Sequence, residues 1–462
     1  MKHAILGAVI AAMLVGLLAC GGSSTSAPSG LSNRVLVSNS LSTGTFSEGT
    51  IQIIDATNNT LSGSTITAGS APGLMAVSPG LDRTLVFDSG SNDVSILDNS
   101  TESNAAFVSL TGFTESLIAK DTNTGFAAVP TAGLSNQVRL GAVEVLDLVN
   151  AVVATVDVNG VGLYGIPVPG ARRMVMNSQG TKLLVFSDNY RFTPLGAPLC
   201  SDGSSAMTVI DVSEVTLTGS AIIPTYPSTV CGFDQAVWGV FSSDGNTAYI
   251  LNCGPECGGT KLTASVQPFD LTTLPSASST TPVQLSKQLP SPVTVPGKNI
   301  GATIGMLSGS TLYVAGTPGG TTGAGAGVLN VFDVSATSST TLTPDPNVQS
   351  NLPISDGYHT RMVMGANNKL FVGAINCTND ASSSQPTGCL SIYDTGANTK
   401  PVIDAAKGYV TGMVPIATSD LVYVIEGNRL NIYDTTTSAE STTYTINIVG
   451  TLVDVKAIDQ LQ

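Results

Sequence analysis

The sequence contains very little histidine, tryptophan and charge. Among its 462 residues are two His and one Trp, and charged side chains make up only 11%. Histidine is the side chain that most often serves as a general base near neutral pH, and His3 lies in the N-terminal segment, outside the bulk of the chain. A Ser-His-Asp hydrolase would have to use His359, and no Gly-x-Ser-x-Gly elbow sits near a helix to supply its serine. These shortages argue against an enzyme.

Other catalytic and nucleotide-binding motifs are also absent from the sequence. It contains no P-loop, no Rossmann glycine fingerprint and no haem-attachment Cys-x-x-Cys-His. The formal charge of -14 would repel phosphate backbones. We therefore expect no nucleic-acid partner, no catalytic residue and no resident metal, and we expect a monomer.

The N-terminus has the pattern of an export signal. Lys2 and His3 precede an apolar run over residues 4–18, which is shorter than the roughly 20 residues of a membrane span. The run ends in Leu17-Leu18-Ala19-Cys20, which resembles the lipobox of bacterial lipoproteins. The resemblance implies a signal peptide over 1–19 and a lipid on Cys20. The absence of Asp after Cys20 implies sorting to the outer membrane, on its periplasmic or cell-surface side.

Residues 20–32 are expected to tether the folded part of the chain to the membrane. The stretch 21–30 consists of Gly, Ser, Thr, Ala and Pro, a composition typical of a flexible coil. A single folded domain is then expected over residues 33–462.

Six cysteines remain beyond Cys20, and an even number in an exported chain indicates disulfides. Six cysteines allow 15 pairings, but proximity favours Cys253–Cys257 and Cys377–Cys389, which leaves Cys200–Cys231. A metal site is the competing interpretation. It is disfavoured because Cys253 and Cys257 lack a second Cys pair of similar spacing.

A short strand that ends in Asp recurs eight times and predicts a repeat architecture. Its Asp residues are Asp55, Asp98, Asp147, Asp211, Asp270, Asp333, Asp394 and Asp434. A second apolar strand precedes each copy, and a third strand with a Gly/Asp/Asn turn lies further upstream in most units. A fourth strand is expected after each Asp, for example over 154–158 and 443–449. Four antiparallel strands per repeat predict a β-propeller blade.

The order of turn and strands resembles the YVTN-type propeller repeat family over residues 33–458. The resemblance implies a single all-β propeller of eight blades, with seven as the alternative. The chain starts on a second strand near Val35 and ends on an unpaired strand over 452–459. This last strand is expected to complete the first blade and close the ring.

The repeated Asp residues are expected to cap turns, because a catalytic or metal-binding role does not recur in every blade. One segment, Asp121-Thr-Asn123-Thr-Gly125, resembles the start of a calcium loop but lacks the distal Glu. Calcium therefore stays open as a weak alternative to no cofactor.

The long insertions all fall between the second and third strands of a blade, over 131–142, 189–206, 252–265, 316–327 and 375–389. Antiparallel geometry puts these loops on the same face as the loops between blades, and we call it the long-loop face. The inner strands begin there, beside the central funnel. The residues expected at the rim of the funnel are Arg172, Arg173, Trp238, Lys298, Tyr358, His359 and Arg361. Aromatic and Arg side chains are typical binding anchors, but the same residues could simply plug the funnel.

Three functions remain open from the sequence. The first is a non-enzymatic envelope lipoprotein that binds a protein, peptide or glycan on the long-loop face. The second is an enzyme of the lactonase-like propeller group, which the YVTN resemblance brings with it. The third is a purely structural surface protein.

Overall fold

The computed structural model shows a ring of eight β-sheets. It describes residues 29–459 except 41–47, 136–137, 140, 159–160, 188–199, 201–203, 214, 218–220, 223–227, 260–263, 275–299, 320–325, 336–342, 345–350, 379–387, 406 and 418. The expected signal peptide and Cys20 lie outside the described residues.

Each sheet is one propeller blade, and we number the blades 1 to 8 from the N-terminus. The inner strands, in blade order, are Thr451–Ala457, Pro72–Val77, Ser116–Ala119, Ala171–Met176, Ala236–Phe241, Ile304–Ser308, Tyr358–Met364 and Val410–Ile416. The second strands are Arg34–Ser40, Arg83–Asp88, Thr124–Val129, Lys182–Ser187, Thr247–Asn252, Thr311–Gly316, Lys369–Ile375 and Leu421–Glu426. The third strands are Glu48–Asp55, Asp93–Asp98, Ala142–Asp147, Ser205–Asp211, Ser265–Asp270, Gly327–Asp333, Leu390–Asp394 and Arg429–Asp434.

The outer strands vary more in length than the other three. Those of blades 1 to 4 are Thr60–Ser70, Ser103–Ser109, Val152–Val153 and Ser228–Phe233, and those of blades 6 to 8 are Thr343–Pro344, Val402–Ile403 and Ala439–Glu440. In blade 5, only three strands fall within the described residues.

Short additional elements lie between the blades and in the loops. They are the strands Gly133–Ser135, Val138–Arg139, Thr155–Val158, Val161–Tyr164, Ile166–Pro167, Thr216–Leu217, Ala221–Ile222 and Leu352–Ile354, and the 3-10 turns Gly254–Cys257 and Leu271–Thr273.

The ring closes as the sequence predicts. Thr451–Ala457 pairs antiparallel with Arg34–Ser40, so the last strand of the chain is the inner strand of blade 1. Each inner strand contacts the next around the whole ring. The prediction of eight blades is therefore confirmed, and the alternative of seven is excluded.

The core is divided among the interfaces between blades. One apolar cluster lies at each of these interfaces, formed by the alternating apolar residues of the facing strands. The second strands are the most deeply buried, as in Leu421–Glu426, where every residue is buried. This arrangement explains why the second strands are nearly continuous apolar runs, since they have a neighbouring blade on both faces.

The turn-capping role of the repeated Asp is confirmed in all eight blades. In each, the carboxylate accepts a hydrogen bond from the backbone N–H two residues later, over 2.7–3.0 Å. Asp121, in the segment that resembles a calcium loop, is used in the same way. Its Oδ1 accepts from the backbone N–H groups of Asn123 and Thr124, both at 2.8 Å.

The expected outer strands over 154–158 and 443–449 are wrong. Thr155–Val158 pairs with Val161–Tyr164 in a separate hairpin, and the two residues Val152–Val153 form the outer strand of blade 3. In blade 8 the outer strand is Ala439–Glu440, and residues 441–450 contain no strand. Ile446 packs instead into the apolar cluster between blades 8 and 1. Alternating apolar residues predict an extended segment but do not specify its pairing partner.

The folded part of the chain begins before the expected boundary at residue 33. Ser29 donates hydrogen bonds from its backbone N–H and its hydroxyl to the carboxylate of Glu102, and Leu31 packs against the cluster between blades 1 and 2. These residues, expected in the tether, contact the propeller.

Candidate functional site

Three disulfides brace the long-loop face. Cys200–Cys231, Cys253–Cys257 and Cys377–Cys389 have Cα–Cα distances of 5.7, 5.7 and 5.6 Å, so the predicted pairing is confirmed. One placement differs from the expectation: Cys231 lies within the outer strand Ser228–Phe233 and not in a loop between blades. It pairs across to Ala206 at the start of the third strand, so it still lies towards the long-loop face. Disulfides of this kind indicate an oxidising compartment outside the cytoplasm.

Blades 3 to 7 have long segments between their second and third strands, and parts of all five segments lie outside the described residues. Blade 8 differs, because Gly427 and Asn428 alone connect its second strand to its third. Both residues have positive φ, 54° and 66°, which a two-residue hairpin turn of the primed type requires. Blade 8 therefore carries no long insertion at the long-loop face.

A cavity of about 410 Å³ lies on the axis of the ring, and we call it the axial cavity. Its lining comes from the inner strands of every blade except blade 6, together with Glu115 and Ile375. A second cavity of about 390 Å³, the mouth cavity, adjoins it towards the long-loop face. The two cavities share Glu115 and Arg173, and Cys257 of one disulfide borders the mouth cavity.

Arg173 and Tyr358 meet between the two cavities. Arg173 is on the inner strand of blade 4 and Tyr358 begins the inner strand of blade 7, yet the guanidinium carbon lies 5.2 Å from the centroid of the Tyr358 ring. Arg173 thus reaches across the funnel. Its guanidinium makes no hydrogen bond and no ion pair with any residue that the structure describes.

The other two arginines of the rim have protein partners. Arg172 pairs with Glu115 across 2.8 Å at the wall of the mouth cavity. Arg361 lines the axial cavity and donates from Nε to the Thr411 carbonyl oxygen at 2.7 Å and from Nη1 to the Thr360 carbonyl oxygen at 3.1 Å. These hydrogen bonds fix the orientation of the Arg361 guanidinium at the cavity wall.

Trp238 lies deeper than the rim. Its indole N–H donates to the Gly305 carbonyl oxygen at 3.2 Å, and its ring packs into clusters on either side of blade 6. It borders the axial cavity and also a third cavity of about 460 Å³, which is lined by Ser178, Ser242 and Gly309 at the opposite ends of the inner strands. Trp238 therefore separates the two cavities, so the interpretation of this residue as a funnel plug gains support.

His359 does not reach the rim, contrary to the expectation. Its side chain is fully buried, next to Gly327 and the Ser355 carbonyl. Burial lowers the pKa of His359 to about 4, although the Ser355 backbone and the nearby Asp356 oppose this shift. The alternation of residues along the inner strand turns His359 inward into the blade interface while Tyr358 faces the funnel. Lys298 lies outside the described residues.

Asp454 lines the axial cavity and was missed by the sequence analysis. Its buried carboxylate accepts hydrogen bonds from the backbone N–H groups of Met75 and Val455, both at 2.9 Å, and from Lys456 Nζ at 3.1 Å. Its position in the closing strand was the available signal, since that strand was expected to become an inner strand. Its charge is already balanced by these donors.

Two further carboxylates away from the axial cavity were also missed, one buried and one partly buried. Glu144 accepts from the backbone N–H and the hydroxyl of Thr111, and burial raises its pKa to about 7 against these hydrogen bonds. Glu256, in the turn closed by Cys253–Cys257, accepts from the Thr317 N–H at 2.8 Å, and burial raises its pKa to about 8. Glu256 therefore links two neighbouring loops of the long-loop face.

Neither a metal cluster nor a membrane-spanning helix occurs in the described part of the chain. No group of three or more His, Cys, Asp or Glu side chains there could hold an ion. No helix among the same residues is long and apolar enough to cross a bilayer.

Comparisons with known proteins identify the fold and nothing finer. No protein-family model matches the chain, and no curated protein sequence matches it. Among solved structures, the dihydro-haem d1 dehydrogenase NirN in complex with DHE superposes with a TM-score of 0.51 at 10% identity, over 93% of this chain and 75% of that one. Apo AztD from Citrobacter koseri superposes with a TM-score of 0.46 at 10% identity, over 92% of this chain and 97% of that one. At such identities the likeness to NirN shows a shared propeller fold only.

Proposed function

We propose that this chain is a non-enzymatic binding protein of the bacterial envelope, which holds a protein, peptide or glycan on its long-loop face. The observation that carries the proposal is the coincidence of three features on one face. These are five long loops, three disulfides and a cavity on the ring axis whose wall carries Arg173, Arg361 and Trp238.

The disulfides favour binding over a purely structural role. Eight blade interfaces already supply the core. Each disulfide ties at least one loop residue of the long-loop face to another segment, and Cys200–Cys231 does so in a small buried cluster of its own. A loop that is ordered before binding loses less conformational entropy when its partner arrives. Loops on a rigid scaffold are also where binding residues are most often found.

The proposal also includes the finer features that the sequence suggests. These are a YVTN-type origin of the repeats and anchoring to the outer membrane through lipidated Cys20. The disulfides support the envelope location, because they persist only in an oxidising compartment.

The test is capture of a partner by the purified mature protein from a detergent-solubilised envelope of the bacterium that makes it. The double variant Arg172→Ala, Arg173→Ala removes two cations from the mouth cavity without touching the apolar clusters. We expect it to weaken capture by more than about 2 kcal/mol if both side chains are anchors. Asp244→Ala, in an exposed turn on the opposite face, should capture as well as the unmodified protein.

Both variants must first show the same circular dichroism spectrum and melting behaviour as the unmodified protein. Loss of capture with Asp244→Ala, and retention with the double variant, would place binding on the other face and contradict the proposal.

A further inference from the structure

The charge of the axial cavity is opposite to that of the chain as a whole. The formal charge of the protein is -14, yet three arginines converge on the two adjoining cavities. Glu115 pairs with Arg172, and Asp454 is balanced by Lys456 and two backbone N–H groups. Arg173 and Arg361 therefore leave uncompensated positive charge at the cavity wall.

The two uncompensated arginines lie at the same part of the ring. Arg361 is three residues beyond Tyr358 on the inner strand of blade 7, and Arg173 crosses the funnel to the face of that Tyr. Arg173 has all its guanidinium donors uncommitted among the described residues, and the bonds of Arg361 to Thr360 and Thr411 leave its Nη2 uncommitted. Guanidinium groups bind carboxylates through two parallel hydrogen bonds.

The rest of the cavity wall is largely apolar. Leu74, Leu117, Ile375, Val410 and Val453 line it, together with the Trp238 ring. An apolar wall next to arginines fits a carboxylate that carries an apolar group better than a phosphate, which presents more charge and no apolar surface. The volume of about 410 Å³ is in the lower part of the range of small-ligand sites.

The cavity has one open end. Trp238, held by its hydrogen bond to Gly305, separates it from the cavity on the opposite face. A chain that enters the axial cavity from the long-loop face by its end meets the Trp238 ring on the far side.

We propose that the axial cavity binds the C-terminal carboxylate of a peptide whose last side chain is apolar. The carboxylate lies between Arg173 and Arg361, and the last side chain packs towards Trp238. This inference rests on the proposed binding function and names the class of ligand for its central site.

The single Trp of the chain provides a direct assay. Because Trp238 is the only Trp, its fluorescence reports occupancy of the two cavities that it borders, the axial cavity and the cavity on the opposite face. The arginine variants below assign a signal to the axial cavity, because Arg173 lines that cavity and not the opposite one. The probes are pools of tripeptides that end in Leu, Ile, Val or Phe, prepared once with a free C-terminal carboxylate and once as the amide. N-acetyl-leucine serves as a small carboxylate that is not a peptide.

We expect the free-acid pool to change the Trp238 fluorescence saturably and the amide pool to bind at least tenfold more weakly. Arg173→Gln should abolish most of this discrimination, because it removes the charge and leaves a shorter, neutral polar side chain. Arg173 is the better choice of the two arginines, since Arg361 also holds backbone carbonyls in place. Arg429→Ala removes an exposed arginine at the start of the third strand of blade 8, outside the lining of both cavities, and should leave the discrimination unchanged.

Three results would overturn the inference. They are equal binding of acid and amide, absence of any saturable change with the acid pool, and binding of N-acetyl-leucine as tightly as the peptides. If the inference fails in one of these ways while partner capture still depends on the long-loop face, the proposed function stands and only the ligand class is wrong.

Discussion

Arg34 and Asp459 lie 425 positions apart in the sequence and form a two-point ion pair in the folded protein. Arg34 Nη2 is 2.6 Å from Asp459 Oδ1, and Arg34 Nε is 2.8 Å from Asp459 Oδ2. The Arg34 backbone N–H also donates to Asp459 at 2.7 Å, and Arg34 Nη1 reaches Glu102 in blade 2 at 3.0 Å. The pair fastens the last strand to the first beside the strand pairing that closes the ring.

This pair predicts that Asp459→Ala destabilises the whole propeller. Both side chains are largely buried, with 12% and 16% exposure, and loss of Asp459 leaves Glu102 as the one acidic partner of Arg34 among the described residues. We expect a loss of about 2–4 kcal/mol in the free energy of unfolding, measured by denaturant titration. Asp93→Ala is the control. Asp93 lies in blade 2, whose four strands are consecutive in the chain, so its loss should change stability only locally. Equal stability of Asp459→Ala and the unmodified protein would show that the pair does not secure the closure.

Removal of the closing strand tests the closure more severely. Truncation before Leu452 exposes the edges of blade 1 and removes the inner strand that contacts blades 8 and 2. Unpaired edges promote aggregation, so we expect loss of the monomer on gel filtration and a strongly reduced melting temperature. A truncated protein that melts like the full chain would contradict the observed strand order.

Glu256 predicts that stability declines as the pH rises. Its pKa in the folded protein is about 8, against the ordinary value of 4.5 for a Glu carboxyl, so between these values the folded state holds a proton that the unfolded state has lost. The stabilisation is therefore complete below about pH 4.5 and disappears as the pH rises to about 8. Glu256→Gln keeps an acceptor for the Thr317 N–H and does not titrate. The variant should lose less melting temperature than the unmodified protein between pH 6.5 and 8.5. The pKa of His359 is lowered from 6.5 to about 4. Its titration therefore raises the stability as the pH rises from about 4 to 6.5, which is below the measured pH range.

Two of the three disulfides close loops of very different length, which predicts a ranking of their contributions to stability. Cys200–Cys231 closes a separation of 31 residues, and Cys253–Cys257 closes one of 4. The chain-entropy estimate gives about 3–4 kcal/mol for the first and about 2 kcal/mol for the second. Replacing each pair with Ala and measuring the free energy of unfolding without reductant checks the order. A larger loss from the Cys253–Cys257 pair would mean that contacts of its loop, and not chain entropy, dominate.

The lipobox-like sequence predicts that Cys20 carries the membrane anchor. Cys20→Ser should abolish incorporation of labelled fatty acid and release the protein from the membrane fraction or leave its signal uncleaved. If the substituted protein still takes up label and stays with the membrane, the lipoprotein hypothesis is wrong. Cys253→Ser, in a loop disulfide, serves as the control for loss of a cysteine elsewhere.

The sequence by itself determined the repeat, the closure and the disulfide pairing. Alternating apolar residues, a capping Asp and turn residues are local signals. Because each blade repeats them, a blade with a weak pattern can be assigned by comparison with the other blades. The unpaired strand at the end of the chain predicted closure, because the first blade lacked an inner strand and the last strand of the chain had no blade of its own. Proximity in sequence was enough to pair Cys253 with Cys257, since a short loop limits the alternatives.

Only the tertiary structure decided which rim residues face the funnel. Tyr358 and His359 are neighbours in the sequence, but the strand pleat turns one towards Arg173 and buries the other at a blade interface. The contact between Arg173 and Tyr358 joins blades 4 and 7, and the Arg361 bonds join blade 7 to blade 8. Such contacts depend on how eight sheets pack around one axis, and this packing arises from the sum of all the interfaces between blades. No local pattern in the sequence predicts which side chains meet across the axis of the ring.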